Sequence, residues 1–364
     1  MHTISDRIYA PAYTAGFQCI AGKCRHSCCI GWEIDIDDDS LQRFQNVSGE
    51  LGRKLASCIA LPDETSEEST AHFILDEKER CPFLTSKNLC ELILTLGEDS
   101  LCDICREHPR FYNTLSDRME MGLGLCCEEA ARLLLSEKAP IRIVDISAGT
   151  NPGKKSRKSL WARAVGNKDE ASSATAYEDT FLGAMDEDEL ELLKLRGRIF
   201  AILQDRSMSL PHRVEEIRRM LDLPDGDPDY MHWGMFLDGL ERLDPAWTKE
   251  IEKLKTARDV DMSGFATQML MQKRTTEYEN TLWYLLYRHL IHALEDGYVA
   301  ARVQFAILGT TLISYLGACR MAEKGEFTLD DRVELLRMFS SEIEYSDENV
   351  DRILTHILER DGRL

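Results

Sequence analysis

Residues 19–37 read CIAGKCRHSCCIGWEIDID. Cys19, Cys24, Cys28 and Cys29 fall within eleven residues, and a strand-like alternation follows at once. In WEIDID, Trp32, Ile34 and Ile36 take one face, and Glu33, Asp35 and Asp37 take the other. A stretch of this kind predicts a small unit of loops and short elements. It leaves three roles for the thiols: metal ligands, disulfides or a nucleophile.

The rest of the chain narrows the choice. Eleven of the twelve cysteines precede residue 128, and Cys319 stands apart. The N-terminus, MHTISDRIYAPAYTAG, lacks the basic start and apolar core of a secretory signal. No run reaches the ~18 uninterrupted apolar residues of a membrane span. A cytoplasmic protein is expected, with no membrane partner. In a reducing compartment disulfides are rare, and clustered thiols bind metal more often than they pair. The net charge of −20 gives no broad surface for nucleic acid. Residues 1–146 hold 15 basic and 25 acidic side chains, so the first part is no basic arm either.

Beyond the opening stretch, a helix is expected near 40–57, a polar loop at 61–70 (LPDETSEEST) and a helix in CCEEAARLLLSEK (126–138). Residues 147–177 are rich in Ser, Gly and Lys and read as a linker, with a basic KKSRKSLWAR inside it. From Asp179 onward the pattern is helical. Leu192, Leu195, Ile199, Ile202 and Leu203 make one helical face, and Tyr278, Leu282, Leu285, Leu286 and His289 make another. The last helix is expected to start after Ser346 and stop at Gly362. The expected fold is mainly α: a cysteine-cluster metal-binding domain with little β over 1–146, a linker over 147–177, and an α-helical domain over 178–364.

In chain order the thiols are Cys19, Cys24, Cys28, Cys29, Cys58, Cys81, Cys90, Cys102, Cys105, Cys126 and Cys127. Soft thiolates suit zinc and iron–sulfur clusters. Adjacent residues such as Cys28 and Cys29 do not readily point both sulfurs at one tetrahedral ion, so two sites or one spectator are implied. The CxxxCxxC spacing of radical S-adenosylmethionine enzymes is missing.

The run F-x-C-x4-C-x3-C-C-x2-W-x-I-D-I from Phe17 to Ile36 resembles the CxxCxxCC-type zinc- or iron-chelating domain. So do CPFL (81–84), Cys90, CREHPR (105–110) and LCCEEAARLL (125–134). The order of these motifs resembles the flagellin lysine-N-methylase family, and RGRIFAILQDRSMSLPHR (196–213) and YENTLWYLLYRHL (278–290) are similar to its helical C-terminal region. On that resemblance the metal ligands are Cys19, Cys24, Cys28, Cys29, Cys81, Cys90, Cys105 and Cys127. Cys58, Cys102, Cys126 and Cys319 look extra to that pattern; the family has Ser-Cys where this chain has Cys126-Cys127, so Cys127 takes the match. The resemblance implies methyl transfer from S-adenosylmethionine to lysine side chains of flagellin, or of another lysine-bearing protein, with a [4Fe–4S] cluster. Zinc is the alternative metal. The competing function is a non-enzymatic zinc- or iron-binding protein that recruits a protein partner. A thiol oxidoreductase built on Cys102-x2-Cys105 is a third.

Other residues carry less. Gly122-Leu123-Gly124 is the only G-x-G and is no Rossmann donor site by itself. Arg110, beside Cys105, is the candidate for the donor's carboxylate, since its fork suits bidentate contact; a structural ion pair is the plainer role. His26 and His108 sit among the thiols as possible ligands or supports. Asp35, Asp37 and Asp39 fail as a calcium loop, because position six is Ser40 and position twelve is Asn46. Tyr278, Trp283, Tyr284 and Tyr287 read as core, with a lysine channel as the functional option, and Glu277 and Asn280 are further possible site groups.

Overall fold

The computed structural model describes residues 7–61, 70–147, 186–224, 228–256 and 260–362. Apart from Leu61, Thr70 and Ser147, the expected loop at 61–70 and the expected linker at 147–177 lie outside the described residues.

The chain divides into two compact units. One comprises Gln18–Phe111 and Cys127–Glu129; the other holds the chain up to Phe17, Tyr112–Cys126 and everything from Ala130 on. A single boundary at residue 146 therefore does not describe the chain, and the reason is strand pairing. The described strands are β1 (Ile8–Pro11), β2 (Asp35–Ile36), β3 (Ile59–Ala60), β4 (Ala71–Phe73), β5 (Arg110–Thr114), β6 (Met119–Leu123) and β7 (Ile143–Asp145). β1 pairs parallel to β6, with Ile8 opposite Met119, and antiparallel to β7, with Tyr9 opposite Asp145. The sheet order is β5-β6-β1-β7. A parallel pair needs a long crossover, and here residues 18–111 are carried within it. The thiol unit is an insertion between β1 and the β5–β6 hairpin.

In the helical unit the chain is helical at Glu187–Leu203, Leu210–Met220, Tyr230–Asp238, Pro245–Lys255, Met262–Met271, Thr275–His289, Val299–Lys324, Leu329–Phe339 and Asp347–Arg360. Aspartates start many of these: Asp186, Asp229, Asp244 and Asp261 each accept a backbone N–H of the first turn. Thr328 and Asp331 form a capping box. Ser346 caps the last helix as expected, accepting from the Asn349 N–H at 3.3 Å, and the helix ends at Arg360, before the left-handed Gly362.

The core is the Thr275–His289 helix against Val299–Lys324. Leu282, Trp283, Tyr284, Leu285, Leu286 and Tyr287 are all buried, so Trp283, Tyr284 and Tyr287 pack the core. Trp283 stacks on Phe200 (4.7 Å) and Tyr287 (5.0 Å). Val299–Lys324 is long and apolar enough to cross a membrane by composition, but 72% of its apolar window is buried inside the protein. It is spent on the core.

The Leu329–Phe339 helix runs into a π-helical turn, Ser340–Glu344, that places the Glu344 carboxylate in the interior. Tyr284 Oη donates to it at 3.1 Å, and His289 Nε2 lies 3.2 Å away. Burial drives the His289 imidazole down to about 4, against the pull of Glu344. The sign follows: below about pH 6.5 the unfolded chain takes up a proton here that the folded chain takes up only near pH 4. Stability should fall as pH drops through that window, by on the order of 2 kcal/mol from this group at pH 4.5. Urea midpoints at pH 7 and 4.5 measure the fall, and His289→Gln should shrink it. An unchanged pH slope in that variant would refute the assignment.

Candidate metal centre

The thiol unit is small, and its thiols stand where other domains of its size put hydrophobes. Ile34 and Ile36 are buried and Glu33 and Asp35 exposed, the alternation read from WEIDID, although only Asp35–Ile36 pairs as strand, against β4. The helix expected over 40–57 is two helices, Asp38–Gln45 and Gly49–Cys58. Their Phe44 and Leu55 pack with Ile34, Ile36, Phe73 and Phe83. The calcium-like DIDDDS has a structural use. Asp37 accepts from the Ser40 N–H (2.9 Å), capping the first helix, and from the Asp103 N–H (2.8 Å) at the start of the helix Asp103–Glu107.

The thiols fall into two sets. Cys29, Cys81, Cys90, Cys102 and Cys105 act on one another at the core just described, Cys81 and Cys102 within it and the others packed against it. The Cys81 N–H donates to the Cys29 carbonyl at 2.9 Å, Cys90 bridges to Leu84 and precedes the helix Glu91–Leu96, and Cys102 precedes Asp103–Glu107. The Cys105 thiol donates to Cys102, which lowers the Cys102 thiol and raises Cys105. Burial pushes the Cys81 thiol up to about 12, with Cys29, Cys90 and Cys102 adding to it. Cys19, Cys24, Cys28 and Cys127 form the other set. The Cys28 thiol is raised by its hydrogen bond to Cys29 and by burial, and it also senses Cys19 and Cys127. Burial first, then Glu128, His26 and Cys127, set the Cys24 thiol at about 12. Between the sets stands the adjacent pair: Cys28 first, then Ser27 and Arg80, bring the Cys29 thiol down to about 7 against the effect of burial.

Of the four cysteines the resemblance left aside, three stay outside both sets. Cys319 is buried in Val299–Lys324, Cys126 belongs to the helical unit, and Cys58 is at the edge of the thiol core. Cys102 does not stay outside: it is 1% exposed and stands among Cys81, Cys90 and Cys105. Sequence reading also missed Glu128, whose carboxylate reaches into the Cys19–Cys29 loop. The signal was present in CCEE, but two adjacent acids at a helix start look like ordinary dipole matching.

The remaining candidates have local uses. Arg110 opens β5, is half-buried and donates to the Glu107 carbonyl at 3.4 Å. His108 lies 5.6 Å from the Trp32 ring, and burial, then Arg110, pushes its imidazole down to about 4. The exposed His26 gives its N–H to Glu128 and accepts the Cys24 thiol at its carbonyl. Glu277 is buried beside Arg332 (2.7 Å), and Asn280 donates to the Leu134 and Glu137 carbonyls. Gly122 and Gly124 are buried at β6, and Gly124 meets the Tyr345 hydroxyl so closely that no side chain fits there.

The donor chemistry fits a thiophilic metal, since each set is thiol-rich and neither is built of the oxygens that hard cations need. Among the described residues, no three His, Cys, Asp or Glu side chains already stand in an arrangement that could hold an ion.

A helical protein carrying an inserted ten-thiol unit is the class that fold and site define. Residues 231–363 match the family model of the FliB lysine N-methylase C-terminal domain. The chain is 21% identical to "Lysine-N-methylase" of Salmonella typhimurium and of Salmonella choleraesuis, in each case over 95% of this chain and 94% of the relative. It is 26% identical to "Flagellar biosynthetic protein FliU" of Salmonella muenchen, over 35% of this chain and 76% of that one. No solved structure matches. The resemblance to the flagellin lysine-N-methylase family is borne out.

Proposed function

We propose that this chain is a protein-lysine N-methyltransferase that takes its methyl group from S-adenosylmethionine and acts on flagellin or another lysine-bearing protein. The observation that supports it most is the FliB C-terminal match inside a likeness that runs over 95% of the chain. The reaction balances simply. The lone pair of a neutral lysine amine attacks the sulfonium methyl, the carbon–sulfur bond breaks, and S-adenosylhomocysteine leaves. The proton of the new ammonium passes to a base or to water.

The thiols are proposed to hold a [4Fe–4S] cluster, with zinc as the alternative, drawing on Cys19, Cys24, Cys28, Cys29, Cys81, Cys90, Cys105 and Cys127. Such a cluster, when bound, would supply a Lewis-acidic iron that could help to hold the amino-acid end of the donor. Arg110, at the start of β5 just after the helix that carries Cys105, is proposed to orient the donor's carboxylate through its guanidinium.

Mass spectrometry of flagellin co-expressed with this chain is the test. Added methyl groups on lysine support the reading; none, with metal and donor both present, sinks the flagellin assignment. Anaerobic purification tests the metal separately, because a brown protein carries iron and sulfide and a colourless one with bound zinc carries the alternative.

A further inference from the structure

We propose that Glu128 is a positioning residue that assembles Cys19, Cys24, Cys28 and Cys127 into one binding site for a thiophilic metal. The inference deepens the reading of the thiol unit as a metal centre and rests on it.

Glu128 is 1% exposed, and its two oxygens are spent on one loop. Oε1 accepts the backbone N–H of Arg25 at 2.8 Å and of His26 at 2.7 Å, and the Cys24 thiol lies 3.6 Å from it. Oε2 takes Arg25 Nε at 3.4 Å. Hydrogen bonds from backbone N–H groups to a buried carboxylate are charge-assisted and directional, so the loop cannot slide without leaving a charge unsatisfied. Turns within the loop hold the rest: Cys24 N–H donates to the Ala21 carbonyl (3.0 Å), Ala21 N–H donates to the Cys19 sulfur (3.4 Å), and Trp32 Nε1 donates to the Cys28 carbonyl (2.7 Å).

Sequence position makes this arrangement more than a local brace. Glu128 follows Cys127 directly, about a hundred residues along the chain from the loop it holds. Fixing the carboxylate on Arg25 and His26, with the Cys24 thiol 3.6 Å from Oε1, therefore holds Cys127, the residue before it, beside the loop. Supports of this kind commonly set metal affinity by 10–100-fold.

Glu128→Gln keeps the shape but turns one acceptor into an N–H2 group facing two N–H donors. In the metal-free full chain, Cys24, Cys28 and Cys127 should be alkylated by iodoacetamide several-fold faster than in the parent, read peptide by peptide, with Cys81, Cys90 and Cys105 unchanged. Zinc alone, and separately iron with sulfide, should be lost to a chelator about 10–100-fold more readily from this set. Arg25→Ala, which leaves the two backbone bonds, and Glu129→Gln should both stay near the parent. The inference is overturned if Glu128→Gln changes nothing, or if it speeds alkylation equally in both sets, which would mean general loosening. None of these readouts uses methyl transfer. A parent that fails to methylate flagellin yet shows this pattern loses the function and keeps the site.

Discussion

Serine at Cys102 should lower the metal bound per chain as much as serine at Cys105, although only Cys105 matches the family pattern. The neighbouring Cys105 holds the Cys102 thiol below its ordinary value. A thiol held on the thiolate side is the one best prepared to bind a soft metal. Its surroundings agree: Cys102 is buried at the start of Asp103–Glu107, among Cys81, Cys90 and Cys105, with the helix start fixed by Asp37. A hydroxyl in its place is a poor ligand for iron or zinc. Iron and zinc per chain, measured on anaerobically purified Cys102→Ser, Cys105→Ser and Cys81→Ser, should fall together. Cys28→Ser should also lose metal, from the other set. Cys58→Ser and Cys319→Ser should keep the full content. Because Cys102 is a core residue, each variant's thermal midpoint is needed beside its metal content. A folded Cys102→Ser with parental metal would remove this thiol from the centre.

The helical half was legible because its signals are local. Ser346 announces a cap, and the 3.6-residue spacing of Leu282, Leu285 and Leu286 announces a buried face. The alternation in WEIDID was equally legible, and its burial follows the pattern. The division into units was not, because it depends on β1 pairing with β6 across more than a hundred residues, and no local pattern records a partner that far away. The same holds at the centre. Spacing identifies Cys28 and Cys29 as neighbours, but only the fold brings the Cys81 backbone to the Cys29 carbonyl. Glu128 is the extreme case, since its meaning lies wholly in the loop it binds.

Glu120→Ala should destabilise the helical unit by about 3–5 kcal/mol, the cost of stranding one member of a buried ion pair. Glu120 lies on β6 and is fully buried; Arg196, on the Glu187–Leu203 helix, is 2% exposed. Their contact is bidentate, with Arg196 Nη1 donating to Oε2 at 2.7 Å and Nη2 to Oε1 at 2.5 Å. The guanidinium also lies 5.4 Å from the centre of the Tyr287 ring, and Tyr287 Oη donates to the Met121 carbonyl on the same strand (3.1 Å). The pair therefore fixes the sheet to the helix core at one point. Removing the carboxylate takes the bidentate contact away from a guanidinium that is only 2% exposed. Arg196→Ala should cost as much for the mirror reason, with a lone carboxylate left in the interior. Replacing both at once, Glu120→Leu with Arg196→Met, should recover most of the loss, because an apolar pair of similar volume leaves no charge stranded. Chemical denaturation of the three variants measures this. Two single variants each within 1 kcal/mol of the parent, or a double variant as weak as their sum, would show that the pair is not what holds β6 to the helix.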